Sequence, residues 1–322
     1  MCQIKLRNSG STESLCSACG ICVQYLRSSG SFNIHQFEVD IRIDPQRLLR
    51  ALESIVGDRS PFSGERHLAA VEAFIEAELK SYGLAVESDY FPYRGKKFRN
   101  IVGSIPAQRG TPLVILAAHF DSVQGTPGAD DNASGVAVLL EAARRLSQTK
   151  LRSQLLFCAF NLEELNMIGS TYFAKKLKSA KMKVDLMISL EMVGYTDSRP
   201  GSQKYPTGLS WLYPDRADFI GVIGNWNSHS SLRKFARGMS RVAGLPVETL
   251  SVPGNGGLIP AVRLSDHAPF WDAGYPALMV TDTSFFRNPN YHRSTDSLER
   301  LNLDFMAKVC EGVIRGVLEL SN

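Results

Sequence analysis

The sequence lacks several features that would place it in a specialised class of protein. No apolar stretch approaches the roughly 18 to 20 residues needed to span a membrane, and no run of like charge is typical of a nucleic-acid-binding surface. Its 36 Lys+Arg and 32 Asp+Glu leave a net charge of only +4. We therefore expect neither a membrane nor a nucleic acid as partner. The 44% of hydrophobic residues in 322 positions suffices for the core of a soluble globular protein.

Cysteine is scarce and unevenly placed, with four of the six cysteines in the first 22 residues. The segment CSACGIC lacks the fourth cysteine and the following proline of a ferredoxin-like cluster, which argues against an iron–sulfur site. The start also lacks an apolar segment followed by a cleavage site for export. We expect residues 1–38 to be a disordered arm and residues 39–322 to be one folded domain, cytoplasmic as written or secreted if the true start differs.

Apolar periodicity predicts alternating strands and helices from about residue 44 onward. Apolar residues at three-to-four spacing predict helices at 45–56, 64–83, 132–147, 169–179, 228–243, 266–274 and 302–320. Apolar runs predict strands at 84–91, 98–106, 112–120, 154–160, 185–193, 219–225 and 276–282. This alternation indicates an α/β fold with three layers, in which a mostly parallel mixed sheet carries helices on both faces.

Acidic residues and histidines gather in five short segments, several of which directly follow a predicted strand. In open α/β sheets this edge is where ligands bind. His119 ends the apolar run LVILAAH, and Asp121, two residues on, faces the same side, where it can orient the imidazole. The segment GADDNASG places Asp130 and Asp131 before a predicted helix, as N-capping residues or as ligands.

Three further segments carry the same residue types. Glu163 and Glu164 follow the strand QLLFCAF, and adjacent carboxylates beside a dry sheet require cations or protons. Neighbouring residues point different ways, so one can bind a metal while the other reaches a water. Glu191 lies in an otherwise apolar strand, and His292 in a polar loop; each is either solvated or a ligand. If these side chains converge, they suit two zinc ions that share a carboxylate.

Six motifs in this order resemble the di-zinc aminopeptidase family that includes bacterial secreted aminopeptidases, glutamate carboxypeptidase II and glutaminyl cyclases. They are HFDS, GADDNASG, EE followed by Gly-Ser, LEMVGY, SDHAPFWDAGYPA and YHRSTDS, and they span about residues 43–322. The resemblance implies a zinc-dependent exopeptidase domain over residues 39–322 with two Zn²⁺ ions per chain. It also implies hydrolysis of a peptide or aminoacyl substrate, with aminopeptidase action favoured.

The resemblance further implies a role for individual side chains. The metal ligands would be His119, Asp131, Glu164, Glu191 and His292, with Asp131 bridging the two ions. Glu163 would be the general base, Asp121 would orient His119, Tyr291 would donate to the oxyanion, and Asp266 would be structural or orienting. Two positions depart from the family pattern. Glu191 replaces an aspartate found in many members, which could shift metal spacing, and Asn166 replaces a common glycine.

Three alternatives remain open at the level of sequence. A single-zinc glutaminyl cyclase-type acyltransferase shares several motifs, although the insertion typical of those proteins is absent, since only LNMI follows the glutamate pair. A carboxypeptidase would need a cation for the substrate carboxylate, for which Arg199, Arg263 and Arg287 are available. A non-enzymatic binding module would have lost ligands, yet every ligand position is filled. Residues 195–260 are expected to form much of the substrate pocket, whose preference is undetermined, as is the oligomeric state.

Overall fold

The computed structural model describes residues 41–105 and 112–321, and the arm predicted at residues 1–38 lies outside them. The described residues form seven α-helices, which are α1 Pro45–Ile55, α2 Glu65–Ser81, α3 Gly135–Leu146, α4 Ile168–Ser179, α5 His229–Met239, α6 His267–Ala273 and α7 Leu303–Ser321. They also form eight strands, which are β1 Ala85–Tyr93, β2 Lys96–Ile105, β3 Leu113–His119, β4 Gln154–Phe160, β5 Leu186–Glu191, β6 Ile220–Asn225, β7 Val247–Val252 and β8 Ala277–Thr281.

All eight strands join one mixed sheet in the order β1-β2-β4-β3-β5-β8-β6-β7. The four strands β4, β3, β5 and β8 are mutually parallel, so their carboxyl ends lie at one edge of the sheet. Strand β2 pairs antiparallel with β1 and β4, and β6 pairs antiparallel with β8 and parallel with β7. The predicted mixed, mostly parallel sheet is confirmed.

Helices cover both faces of the sheet, as a parallel sheet requires. Strand β3 shows this directly, because Val114, Leu116 and Ala118 pack into one hydrophobic core, whereas Leu113 and Ile115 pack into the other. The first core is shared with α1, α2, α3, α5 and α7, and the second with α4 and α6. The three-layer architecture is therefore confirmed. Within the described ranges, no helix combines the length and the apolar character that crossing a membrane demands.

Local signals place most helix ends where the sequence predicts them. Asp44 caps α1 by accepting the backbone N–H of Gln46. Helix α2 ends at Ser81, and its C-cap Tyr82 precedes Gly83, which has a positive φ. Cys158 and Cys310 are fully buried, each in one of the two hydrophobic cores. One element was not predicted: the edge strand β7, whose sequence VETLSV breaks the apolar alternation.

Candidate metal centre

The candidate ligands and the predicted base lie at the edge of the sheet where the four parallel strands end. His119 is the last residue of β3, Glu191 is the last residue of β5, and Glu163 and Glu164 follow β4. Asp131 lies in the turn Ala129–Ser134 that leads into α3. His292 belongs to the loop between β8 and α7. The fold thus brings together side chains that are separated by up to 173 positions in the chain, from His119 to His292.

These side chains form two groups that share Asp131. In the first group, His119 Nε2 lies 3.3 Å from Asp131 Oδ1 and 3.5 Å from Glu191 Oε2. In the second, His292 Nε2 lies 3.2 Å from Asp131 Oδ2 and 3.4 Å from Glu164 Oε2. Asp131 turns one carboxylate oxygen toward each group, which is the arrangement of a bridging ligand.

The spacing of these atoms fits zinc. Ligand atoms about 2.0–2.1 Å from a tetrahedral zinc are about 3.3 Å from one another, and the four separations above range from 3.2 to 3.5 Å. Both ring nitrogens of His119 and Oε1 of Glu164 are buried, and none of them has a hydrogen-bond partner in the described part of the chain. Buried polar atoms without partners are costly. A divalent cation in the first group would satisfy Nε2 of His119, whose Nδ1 faces Asp121. The donor set of imidazoles and carboxylates also suits zinc.

Burial and mutual charge shift the pKa values in this cluster strongly. Burial raises the pKa of Glu163 well above its usual range and that of Glu164 to about 7. Burial alone would lower the pKa of His292, but its contacts with Asp131 and Glu164 raise it to about 10. For Asp131 the two histidines outweigh burial and lower the pKa. With these raised pKa values the cluster retains protons, and a metal ion that binds there would displace them.

Asp121 supports this site through the backbone. Its Oδ1 accepts the backbone N–H of Glu163 at 3.0 Å, and its Oδ2 accepts that of Glu164 at 3.1 Å. Its Oδ1 also lies 3.5 Å from Nδ1 of His119. Sequence reasoning predicted only the contact with His119. The fully buried carboxylate of Asp121 thus holds the backbone of the two glutamates in place, and it also lies behind His119.

Asp296 holds the backbone of Asp131 in the same way, and it was missed at the level of sequence. Its Oδ1 accepts the backbone N–H of Asp130 at 3.0 Å, and its Oδ2 accepts that of Asp131 at 3.1 Å. Burial raises the pKa of Asp296 to about 7. Its position within the motif YHRSTDS was the available signal. Ser265 was missed too: it precedes Asp266 and donates to Glu191 Oε2 at 2.8 Å.

Arg59 is a third residue that sequence reasoning missed. It is 0% exposed, and its guanidinium donates to the carbonyl groups of Phe120, Pro127 and Gly128 at 2.7–2.8 Å, among others. It thereby ties the end of β3 to the turn that carries Asp131. Burial lowers its pKa only to about 10, so it remains charged and partly compensates the acidic cluster.

The remaining predicted residues lie at or beside the two groups. Glu163 Oε2 is 3.9 Å from Nε2 of His119. The ring of Tyr291 stacks on that of His292 with centroids 3.7 Å apart, and burial raises the pKa of its hydroxyl. Asp266 is fully buried at the start of α6, and its carboxylate oxygens have no hydrogen-bond partner among the described residues. Burial raises the pKa of Asp266 to about 7.

An apolar pocket adjoins the metal centre at Glu191 and Tyr291. It lies over β8, β6 and β7 on the face of the sheet that α4 and α6 cover elsewhere, and its empty volume is about 810 Å³, part of it open to solvent. Its apolar walls are formed mainly by Phe219, Ile223, Leu250, Val262, Met279 and Phe286. Residues 203–206, Leu209 and Tyr213 also line it. The segment 195–260, expected to form much of the substrate pocket, thus contributes to this cavity.

Comparisons by family pattern, by sequence and by structure each find similar proteins. The pattern of Peptidase family M28 matches residues 100–317. The "uncharacterized protein YfbL" of Escherichia coli is 38% identical over 283 residues, which are 84% of this chain and 86% of YfbL. A "probable zinc metalloprotease" of Leptosphaeria maculans is 28% identical over 254 residues, which are 74% of this chain but 57% of that protein. The crystal structure of the Legionella pneumophila LapA aminopeptidase matches in fold with a TM-score of 0.69, at 20% identity over 92% of this chain and 78% of LapA.

Proposed function

Because the chain belongs to peptidase family M28 and is thereby a zinc-dependent metallo-exopeptidase, we propose that it is an aminopeptidase that uses two zinc ions to release the first residue of a peptide. The observation that supports two ions is the pair of ligand groups, His119–Asp131–Glu191 and Asp131–Glu164–His292, which share one aspartate. We propose residues 39–322 as the catalytic domain.

In this proposal the chain's own residues bind the substrate and move its protons. Zinc bound by the two groups would supply Lewis-acid polarisation of the scissile carbonyl and a more acidic water. Glu163, whose Oε2 lies 3.9 Å from Nε2 of His119, would accept a proton from that water and return it to the leaving amine. Burial raises the pKa of Glu163, which strengthens it as a base. Tyr291, which stacks on His292 and borders the pocket, would donate its hydroxyl to the oxyanion.

The charge of the site favours a free amino terminus over a free carboxylate. The centre is rich in carboxylates, and the three arginines considered for carboxypeptidase action have other partners. Arg199 pairs with Asp197 and Arg263 pairs with Asp272 at 2.8 Å. Arg287 is 6% exposed and donates to Gln203 and to the carbonyl of Phe219, with only its buried Nη2 left over. These partners hold the three arginines away from the role of receiving a terminal carboxylate.

The second ligand group also weighs against a single-zinc glutaminyl cyclase. A single ion needs one set of ligands, whereas Asp131 has its two oxygens directed to two separate histidines at 3.3 and 3.2 Å. Two ions sharing a carboxylate are typical of metal-assisted hydrolysis.

The test uses the purified, zinc-loaded full chain and matched p-nitroanilide substrates with a free or an N-acetylated amino terminus. An aminopeptidase hydrolyses the free substrates, ignores the acetylated ones, and loses activity when a chelator removes the metal. Hydrolysis of peptides blocked at the amino terminus would instead indicate carboxypeptidase or endopeptidase action. Formation of pyroglutamate from glutaminyl substrates, without hydrolysis, would establish the cyclase alternative.

A further inference from the structure

We propose that the pocket selects amino-terminal residues with a long basic side chain, lysine or arginine, because its apolar walls lead to the carboxylate of Glu248. This inference rests on the proposed aminopeptidase function and specifies the substrate class of the same site. Three charged side chains line the pocket, namely Glu191 at the metal centre, Glu248 on the edge strand β7, and Lys204.

The register of the sheet places Glu191 and Glu248 at opposite ends of the pocket floor. Glu191 pairs with Thr281, Thr281 with Gly221, and Gly221 with Glu248, so these four residues form one row across β5, β8, β6 and β7. All four line the pocket. Three strand spacings separate the ends of this row, which is roughly 14 Å between backbones. A substrate bound at the metal centre thus has its side chain directed along a floor that ends at a carboxylate.

The floor between the two glutamates is shaped for a long, slender side chain. Gly221 has no side chain, so the middle of the row remains open. The neighbouring row consists of Met279, Ile223 and Leu250, which are also paired in register and apolar. Lysine and arginine bury their methylene stems along such surfaces while their charged ends reach a polar partner. A short side chain would leave this end of the pocket unfilled.

The carboxylate of Glu248 is available to bind the charged end of a lysine or arginine side chain. Among the described residues, no hydrogen bond or ion pair engages its carboxylate, and partial burial raises its pKa. The one cation in the pocket wall, Lys204, donates its ammonium to the carbonyl of Gly201 at 3.0 Å and forms no described ion pair with Glu248. A carboxylate that is partly removed from water without a partner gains most from a cationic ligand, through a charge-assisted hydrogen bond.

The decisive comparison is between lysyl and norleucyl p-nitroanilides, because their side chains share an apolar stem and differ in the terminal ammonium. With the zinc-loaded full chain we expect kcat/KM to be at least about tenfold higher for the lysyl substrate. Glu248→Gln should lower the lysyl-to-norleucyl ratio about tenfold, mainly through KM, and Glu248→Lys should lower it further. Raising the salt concentration should reduce the ratio of the parent enzyme only modestly, because the pair is partly buried.

The matched control is Glu87→Gln, since Glu87 is an exposed glutamate on β1, the edge strand at the opposite end of the sheet. This variant should keep the parental ratio. A norleucyl preference in the parent, or the same ratio in the parent and in Glu248→Gln, would overturn the proposal while leaving aminopeptidase action intact. Failure to hydrolyse any free aminoacyl substrate would overturn the proposed function, and this inference with it.

Discussion

Asp296 binds the backbone of Asp131 rather than its side chain, with Oδ2 accepting the Asp131 N–H at 3.1 Å. The side chain of Asp131 thereby remains directed at His119 and His292. In the same way, Asp121 accepts the backbone N–H groups of Glu163 and Glu164. Two buried aspartates that accept pairs of successive backbone N–H groups therefore set the positions of the proposed bridging carboxylate and of the glutamate pair. Such supporting residues around a metal site commonly affect metal affinity 10- to 100-fold.

We predict that Asp296→Ala weakens zinc binding by roughly 10- to 100-fold, whereas Asp296→Asn, which keeps one carbonyl oxygen as acceptor, has a smaller effect. The physical reason is that the alanine variant leaves the N–H groups of Asp130 and Asp131 buried without an acceptor. Zinc affinity is measured by competition with a chelator of known affinity, and circular dichroism checks that the fold is retained. Asp304→Ala, at an exposed position in α7, is the control and should not change the affinity. Unchanged zinc affinity in a folded Asp296→Ala variant would refute this supporting role.

We predict that Glu163→Gln lowers kcat by roughly 10²- to 10⁴-fold while zinc content stays at the parental level. Glutamine has nearly the shape of glutamate but cannot accept a proton, so the change tests the base separately from the metal. Glu164→Gln is the matched comparison and should lose zinc, because Glu164 belongs to the second ligand group. Parental kcat in Glu163→Gln would show that another group moves the proton.

Because Asp131 belongs to both ligand groups, replacing it should remove more zinc than replacing a ligand of one group. We predict about two tightly bound zinc ions per parent chain, about one after His292→Ala, and fewer than one after Asp131→Ala. The reason is that His292 belongs to one ligand group whereas Asp131 belongs to both. Elemental analysis after dialysis gives the counts. Equal zinc contents in the two variants would contradict a bridging role for Asp131.

Stability at low pH should depend in part on His267, the first residue of α6, which belongs to neither ligand group. It is 0% exposed, Nε2 donates to the carbonyl of Val262 at 2.7 Å, and burial lowers its pKa to about 4. Since the unfolded chain takes up this proton near pH 6.5 and the folded chain only near pH 4, stability is lost as pH falls through that window. The expected loss is about 3 kcal/mol in the free energy of unfolding.

The measurement for His267 is urea unfolding at pH 7 and pH 4.5 in the presence of chelator, so that zinc release does not contribute. His267→Gln retains an N–H donor for Val262 but does not titrate, and its loss of stability on acidification should be smaller by about 2–3 kcal/mol. An equal loss in both proteins would mean that His267 does not contribute to acid sensitivity.

Periodicity predicted nearly every described helix and strand, because most of them pack one or both faces against a core. The exception, β7, shows why the rule failed. Leu250 and Val252 lie on the face of β7 that packs into the second core, and Glu248 shares that face but borders the pocket. A polar residue at this place interrupts the alternation on which the prediction depends. Local patterns are expected to fail where a position serves a site.

The candidate ligands were predictable for a different reason: they are charged residues in apolar surroundings that match ordered motifs. Asp296 lies in the motif YHRSTDS, but nothing in its spacing indicates its contacts, and Arg59 lies in none of the six motifs. The guanidinium of Arg59 donates to carbonyl groups, and Asp296 accepts from backbone N–H groups, so neither contact needs a particular side chain at the other end. Such partners depend on tertiary geometry, which spacing along the chain does not encode.

The position of Glu248 on the edge strand β7 determines how far its replacement would disturb the rest of the enzyme. Strand β7 has a single hydrogen-bonded neighbour, β6, whereas the ligand-bearing strands are enclosed on both sides. Replacing a side chain on an edge strand disturbs few neighbouring residues, and a change at Glu248 leaves the candidate metal ligands unaltered. Under the role proposed for Glu248, the preference for the first residue of the substrate can be redesigned without altering the metal ligands.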